Sequence, residues 1–250
     1  MRDLLVWGVG ELGKLYGSGA LAAGFRVTPI LRTSDVPITL AGRSPDTPIL
    51  IAVSEQGLPD VLDSVPRAQK GQVILLQNEL FPSLWATEAE APTVMIPWLL
   101  KKKGDPQIVI RETPVYGVHS EVVKAMHEAL GLPCATLDSA SALASELADK
   151  YAFILTINAL GVVRDRTLGG WLREEPVRVR DLASEACQLA ARLAETPLDE
   201  ARRIQRVLQG MHALSALSAR GRSAGARVTR AQAHARALGL DLPLLFQISA

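Results

Sequence analysis

The sequence predicts an α/β protein, with a parallel sheet in its N-terminal part and helices alone in its C-terminal part. Two observations carry this. Between residues 4 and 111, short aliphatic runs alternate with helical stretches and loops, the texture of strands buried on both faces and joined by right-handed crossovers. After Leu137 that texture stops, and apolar residues recur at helical spacing. The boundary is therefore set at residue 137, giving an α/β domain over 1–137 and an all-helical domain over 138–250.

The elements follow in order. Residues 4–7 read as the first strand, 11–23 as a helix ended by Gly24, and 26–31 as the second strand. The third strand is 49–53, followed by a helical segment through Leu62. Runs at 73–76, 94–96 and 108–111 supply a fourth, fifth and sixth strand. Asp138 or Ser139 offers an N-cap for a long helix through Val163. Further helices fit 178–195, 198–219 and 228–238, the last ended by Gly239.

Composition narrows the function classes. With 250 residues, 48% hydrophobic and 21% charged, the chain has the balance of an ordinary globular protein with room for one large or two modest cores. A net charge of +1 gives no pull toward nucleic acid or a membrane surface, and no run reaches the roughly 20 uninterrupted apolar residues of a membrane span. Asp3, Glu11 and Lys14 interrupt the apolar start, so no signal peptide is read and a cytoplasmic location is expected. Cys134 and Cys187 fit no metal or redox spacing. His119, His127, His212 and His234 form no ligand pattern, so no metal is expected.

One motif carries chemistry. Gly8-Val9-Gly10-Glu11-Leu12-Gly13 is a G-x-G-x-x-G sequence lying between a predicted strand and a predicted helix, the context in which it binds a dinucleotide. Gly8 permits the tight turn, Gly10 lets backbone approach the pyrophosphate, and Gly13 lets the helix pack closely; the helix N-terminus supplies amides and positive potential. The N-terminal domain is thus expected to be of the Rossmann type. At the end of the second strand an NAD site usually carries a carboxylate for the ribose hydroxyl. Here the residues are Arg32, Thr33 and Ser34, with Asp35 following. A guanidinium beside hydroxyls suits a 2′-phosphate, so NADP(H) is the expected cofactor.

Taken together these features resemble the ketopantoate reductase (2-dehydropantoate 2-reductase) family. That family's pattern joins the glycine turn and an arginine ending the second strand to a Leu-Gln-Asn-Gly stretch and a Lys-x-x-x-Asn-x-x-x-Asn helix. This chain has Arg32, Leu76-Gln77-Asn78-Glu79, and a helix with Lys150, Ile154 and Asn158, in the same order and at similar spacing. The resemblance implies an NADPH-dependent reductase of a 2-keto acid or related carbonyl. Lys150 would act as general acid, with Asn78 and Asn158 positioning substrate and nicotinamide. The chain departs from the pattern at four places: Ile154 replaces the first asparagine of the helix motif, Glu79 the glycine, and Ser54 a third-strand lysine. Gly221-Arg222-Ser223-Ala224-Gly225 stands where the family carries a glutamate that binds a substrate hydroxyl. No acidic residue lies between Glu200 and Asp241. Loss of those groups supports an alternative, a non-catalytic NADP(H)-binding sensor or scaffold.

Arg202, Arg203, Arg206, Arg220, Arg222, Arg227, Arg230 and Arg236 crowd the acid-free stretch. They read as a pocket for a more anionic substrate, as a surface for an anionic partner, or as a solvated basic face balanced by the acidic first domain. Nucleic acid is not expected, since aromatic residues to stack on bases are missing there. The expected partner is a small keto acid, and a homodimer through the helical domain is compatible with the pattern.

Overall fold

A computed structural model describes residues 2–76, 79, 91–101, 103–221 and 223–249. The chain divides into two compact units, Met1–Leu143 and Ala144–Ala250.

The first unit is built on β1 (Arg2–Trp7), α1 (Glu11–Ala22), β2 (Phe25–Ile30), α2 (Val36–Ala41), β3 (Ile49–Ile51), α3 (Leu58–Ser64), β4 (Val73–Leu75) and β5 (Thr93–Met95). A small pair, β6 (Leu99–Leu100) and β7 (Ile108–Val109), comes next. The unit continues with β8 (Thr113–Tyr116), α4 (Ser120–Ala129) and β9 (Cys134–Thr136). Seven strands form one sheet in the order β2-β1-β3-β4-β5-β8-β9. The first five run parallel; β8 is antiparallel to β5, and β9 parallel to β8. The aliphatic runs are central strands because both faces are covered: every residue of β3 and β4 is fully buried. Leu4 and Val6 of β1 meet Tyr16 and Ala20 of α1, and the same core takes in Val123 and Met126 of α4. Pro29 falls on β2, an edge strand, where its missing N–H costs no ladder bond.

The run at 108–111 is not a strand of this sheet. It contributes β7, which pairs antiparallel with β6, and Ile108 and Val109 remain exposed. A two-residue β-branched pair has strand propensity wherever it lies, and only burial tells a central strand from a local ribbon. The place next to β5 is taken by β8, whose Pro114 interrupts the aliphatic pattern that marks the other strands.

The second unit is helical. It comprises α5 (Ala140–Val163), whose first turn precedes the division, with α6 (Leu168–Glu174), α7 (Pro176–Leu193), α8 (Glu200–Ala213), α9 (Ala224–Ala237) and α10 (Pro243–Phe246). Ser139 Oγ accepts from the Ala142 N–H at 3.2 Å and caps α5. Trp171, Phe153, Leu189, Val207, Met211 and Val228 fill the core. The helix expected to reach residue 219 ends at Ala213 and gives way to turns. Glu185 of α7 accepts from the Leu244 and Leu245 N–H groups at 2.9 and 2.8 Å and so holds the start of α10. Among the described residues no helix is long and apolar enough to cross a membrane.

Candidate active site

In the first unit β1 ends at Trp7 and the chain turns sharply at Gly8, whose φ of 94° suits glycine. The turn is pinned on both sides: Gly8 N–H donates to Ile30 O at 3.1 Å, and Ala52 N–H to Trp7 O at 2.7 Å. A Cβ on Gly8 would lie 2.6 Å from Ala52 O, and one on Gly13 only 1.9 Å from Gly8 O. Backbone on backbone leaves no room for a side chain at either position. Gly10 is different. It is the N-cap of α1 with no side-chain cap, and a Cβ there would meet nothing within 4 Å. The first-turn amides of a twelve-residue helix, carried by Glu11, Leu12 and Gly13, therefore open onto free space beside Gly10, with Val9 partly exposed. That cradle fits the pyrophosphate of a dinucleotide. It also stands where strand order reverses, β2 lying on one side of β1 and β3 on the other.

Beyond β2, Arg32 and Thr33 are exposed in a turn closed by the Ser34 N–H to Leu31 O bond (3.0 Å) and the Leu31 N–H to Ser34 Oγ bond (2.9 Å). Asp35 follows them as the N-cap of α2. Its Oδ1 accepts from Ile38 N–H at 3.1 Å, capping α2. Asn78 lies outside the described residues; β4, which leads toward it, ends at Leu75.

In the second unit α5 carries Lys150, Ile154 and Asn158 at successive turns, with Lys150 and Asn158 buried and Ile154 half-buried. Asn158 Nδ2 donates back to Ile154 O at 2.6 Å, while its buried Oδ1 has no hydrogen-bond partner. The segment after α8 crosses the helix at this point. A Cβ on Gly161 would come within 2.6 Å of Ala219 and Arg220 backbone, and one on Gly221 within 2.8 Å of Asn158 Oδ1. The structure thus brings Gly221, which opens the stretch where the family pattern has its glutamate, against Asn158. Arg222 lies outside the described residues.

Asp149, beside Lys150, has no sequence signal of its own, yet it organises the arginines. Its fully buried carboxylate meets Arg202 Nη1 at 3.1 Å, Arg203 Nη1 at 3.2 Å, and Arg206. Arg206 also pairs with Glu146 at 2.6 Å. Three of the eight arginines are therefore paired with acids of α5 within the second unit. Arg236 stacks on Phe246, 5.1 Å from the ring centre.

Other nucleophiles are quiet. Burial pushes the Cys187 thiol up to about 12 and Cys134 to about 11, so both are protonated at neutral pH. Among the described residues no group of three or more His, Cys, Asp or Glu could hold a metal ion.

Solved structures share this architecture over nearly the whole chain. A PanE/ApbA family ketopantoate reductase from Ralstonia eutropha matches with a TM-score of 0.68 at 18% identity, covering 99% of this chain and 96% of that one. The dimeric ketopantoate reductase from Staphylococcus aureus matches at 0.68 and 14% identity, over 98% and 96% of the two chains. The chain has the ketopantoate reductase fold. D-mandelate dehydrogenase in complex with NADH shares that fold, with a TM-score of 0.71 at 13% identity over 99% and 96% of the chains. No protein-family model matches the sequence, and no curated protein matches it. On the ketopantoate reductase fold the glycine turn of this chain follows the first strand and Lys150 lies on the first helix of the helical unit.

Proposed function

We propose that the protein is a divergent member of the ketopantoate reductase family, an NADPH-dependent reductase of a 2-keto acid or related carbonyl. The observation that carries this reading is the uncapped N-terminus of α1, opening onto free space behind a glycine turn that admits no side chain at Gly8 or Gly13. Gly8, Val9, Gly10, Glu11, Leu12 and Gly13 hold the pyrophosphate through backbone. Arg32 and Thr33 hold the 2′-phosphate, a role supported by the commitment of Asp35 to its own helix. NADPH, when bound, supplies the hydride that reduces the carbonyl carbon.

The chain's own residues do the rest. Lys150 would deliver a proton to the carbonyl oxygen as negative charge develops there, so that the keto acid, having gained a hydride at carbon and a proton at oxygen, leaves as a hydroxy acid. Asn158 positions substrate or nicotinamide through the acceptor that has no partner, and Asn78 completes the set. A soluble cytoplasmic homodimer is part of the same proposal.

The test is a titration of purified protein with NADPH and with NADH, followed by addition of ketopantoate and other 2-keto acids. Lys150→Ala is expected to lower turnover by about 10²- to 10⁴-fold with the NADPH dissociation constant unchanged. Lost NADPH affinity in that variant would remove the acid role from Lys150. Binding without turnover of any keto acid favours a sensor or scaffold, the reading supported by Ile154 and the missing acids. If neither dinucleotide binds, both readings fall.

A further inference from the structure

Resting on the reductase reading, we infer that the substrate is a 2-keto acid whose side chain is apolar and carries no hydroxyl. The argument begins with the helix that bears Lys150. At about 100° per residue, Ile157, Lys150, Ile154 and Asn158 fall within one arc roughly 100° wide. Between residues 147 and 161 every residue of α5 is buried except Ile154 and Ile157. The surface that α5 leaves open beside its lysine is therefore a pair of isoleucine side chains.

The donor and the acids near that pair are already committed. Asn158 Nδ2 is spent on Ile154 O, and a Cβ on Gly221 would lie 2.8 Å from the buried Asn158 Oδ1, the single acceptor of this face and the one assigned above to positioning the keto-acid head or nicotinamide. Glu146 and Asp149, the acids of this part of α5, are held by Arg202, Arg203 and Arg206. From residue 201 through 240, which includes the crossing segment and α9, the chain has no carboxylate at all. An alkyl group laid over Ile154 and Ile157 loses water at no polar cost. A hydroxyl in the same place gives up its hydrogen bonds to water and finds no carboxylate to receive its proton.

A matched pair of keto acids tests this. Ketopantoate and trimethylpyruvate share the keto-acid head and the quaternary carbon, and differ by one hydroxyl oxygen. With the full chain and saturating NADPH, kcat/KM is expected to favour trimethylpyruvate by about ten- to a hundredfold, the range an apolar pocket reaches against an added hydroxyl. Ile154→Asn is expected to narrow or reverse that ratio. A wild-type ratio at or below one overturns the inference and leaves the reductase reading intact. Turnover of neither acid, nor of phenylglyoxylate, by protein that binds NADPH overturns the reductase reading and the inference with it.

Discussion

His127 sits in the core of the first unit with its Nδ1 at 2.9 Å from Val123 O, its Nε2 without a hydrogen-bond partner, and the Tyr16 ring 5.2 Å away. Burial holds its pKa below the ordinary 6.5, and half-burial beside Gln72 lowers His119 in the same way. Both rings are thus neutral in the fold and bind protons more readily in the unfolded chain. Their contribution to stability is fully present above pH 6.5 and drains away as pH falls from there through the lowered folded pKa. The thermal midpoint should therefore fall between about pH 8 and about pH 5, and His127→Phe should flatten part of that slope. Identical slopes in the two proteins would show that His127 titrates alike folded and unfolded. At this scale the sequence speaks unevenly. Gly8 and Gly13 are readable because a turn motif fixes what each must avoid. The capping of α2 by Asp35 is not, because a carboxylate three residues past an arginine can cap a helix or face a ribose, and sequence alone does not separate the two.

The pairing of α5 with α8 shows what one element's sequence leaves out. The length of α5 is legible from spacing, and its cap as either Asp138 or Ser139, of which the fold uses Ser139. Its anchoring is not, since Asp149 and Glu146 find their arginines 53 to 60 residues along the chain, a distance at which only the packed fold decides who meets whom. The same holds for β8, whose antiparallel direction is a tertiary choice that its own four residues do not encode. The ion cluster has unequal members. Removing the buried carboxylate leaves the buried Arg203 guanidinium uncompensated, and Asp149→Ala should cost about 3–5 kcal/mol. Arg202, with its side chain 35% exposed, should cost no more than about 1 kcal/mol as Arg202→Ala. Urea midpoints measure both, and equal losses would mean that buried charge is not what holds this turn of α5.

Across the whole molecule, the succession of a mostly parallel sheet by a helical unit was legible because hydrophobic period and run length change together near residue 137. The proposed substrate side was less so, since the groups assigned to it come from α5 and from a crossing segment that looks like an extended helix in sequence. A chain of two units need not melt in one step, which makes ligand-dependent calorimetry informative. NADPH at about a hundred times its dissociation constant should stabilise the unit that binds it by about 2.7 kcal/mol. NADH at the same concentration should do less, and Arg32→Ala should erase the difference; equal shifts in the wild type would show that Arg32 does not read the 2′-phosphate. The edges of the sheet have a consequence of another kind. On one side β2 presents Pro29, a gap in the row of donors that an incoming strand would need, and on the other β9 offers only three residues as a template. An unfolded neighbour looking for a ladder to join finds a broken rung at one border and almost no ladder at the other, which guards the sheet against runaway stacking during synthesis and refolding.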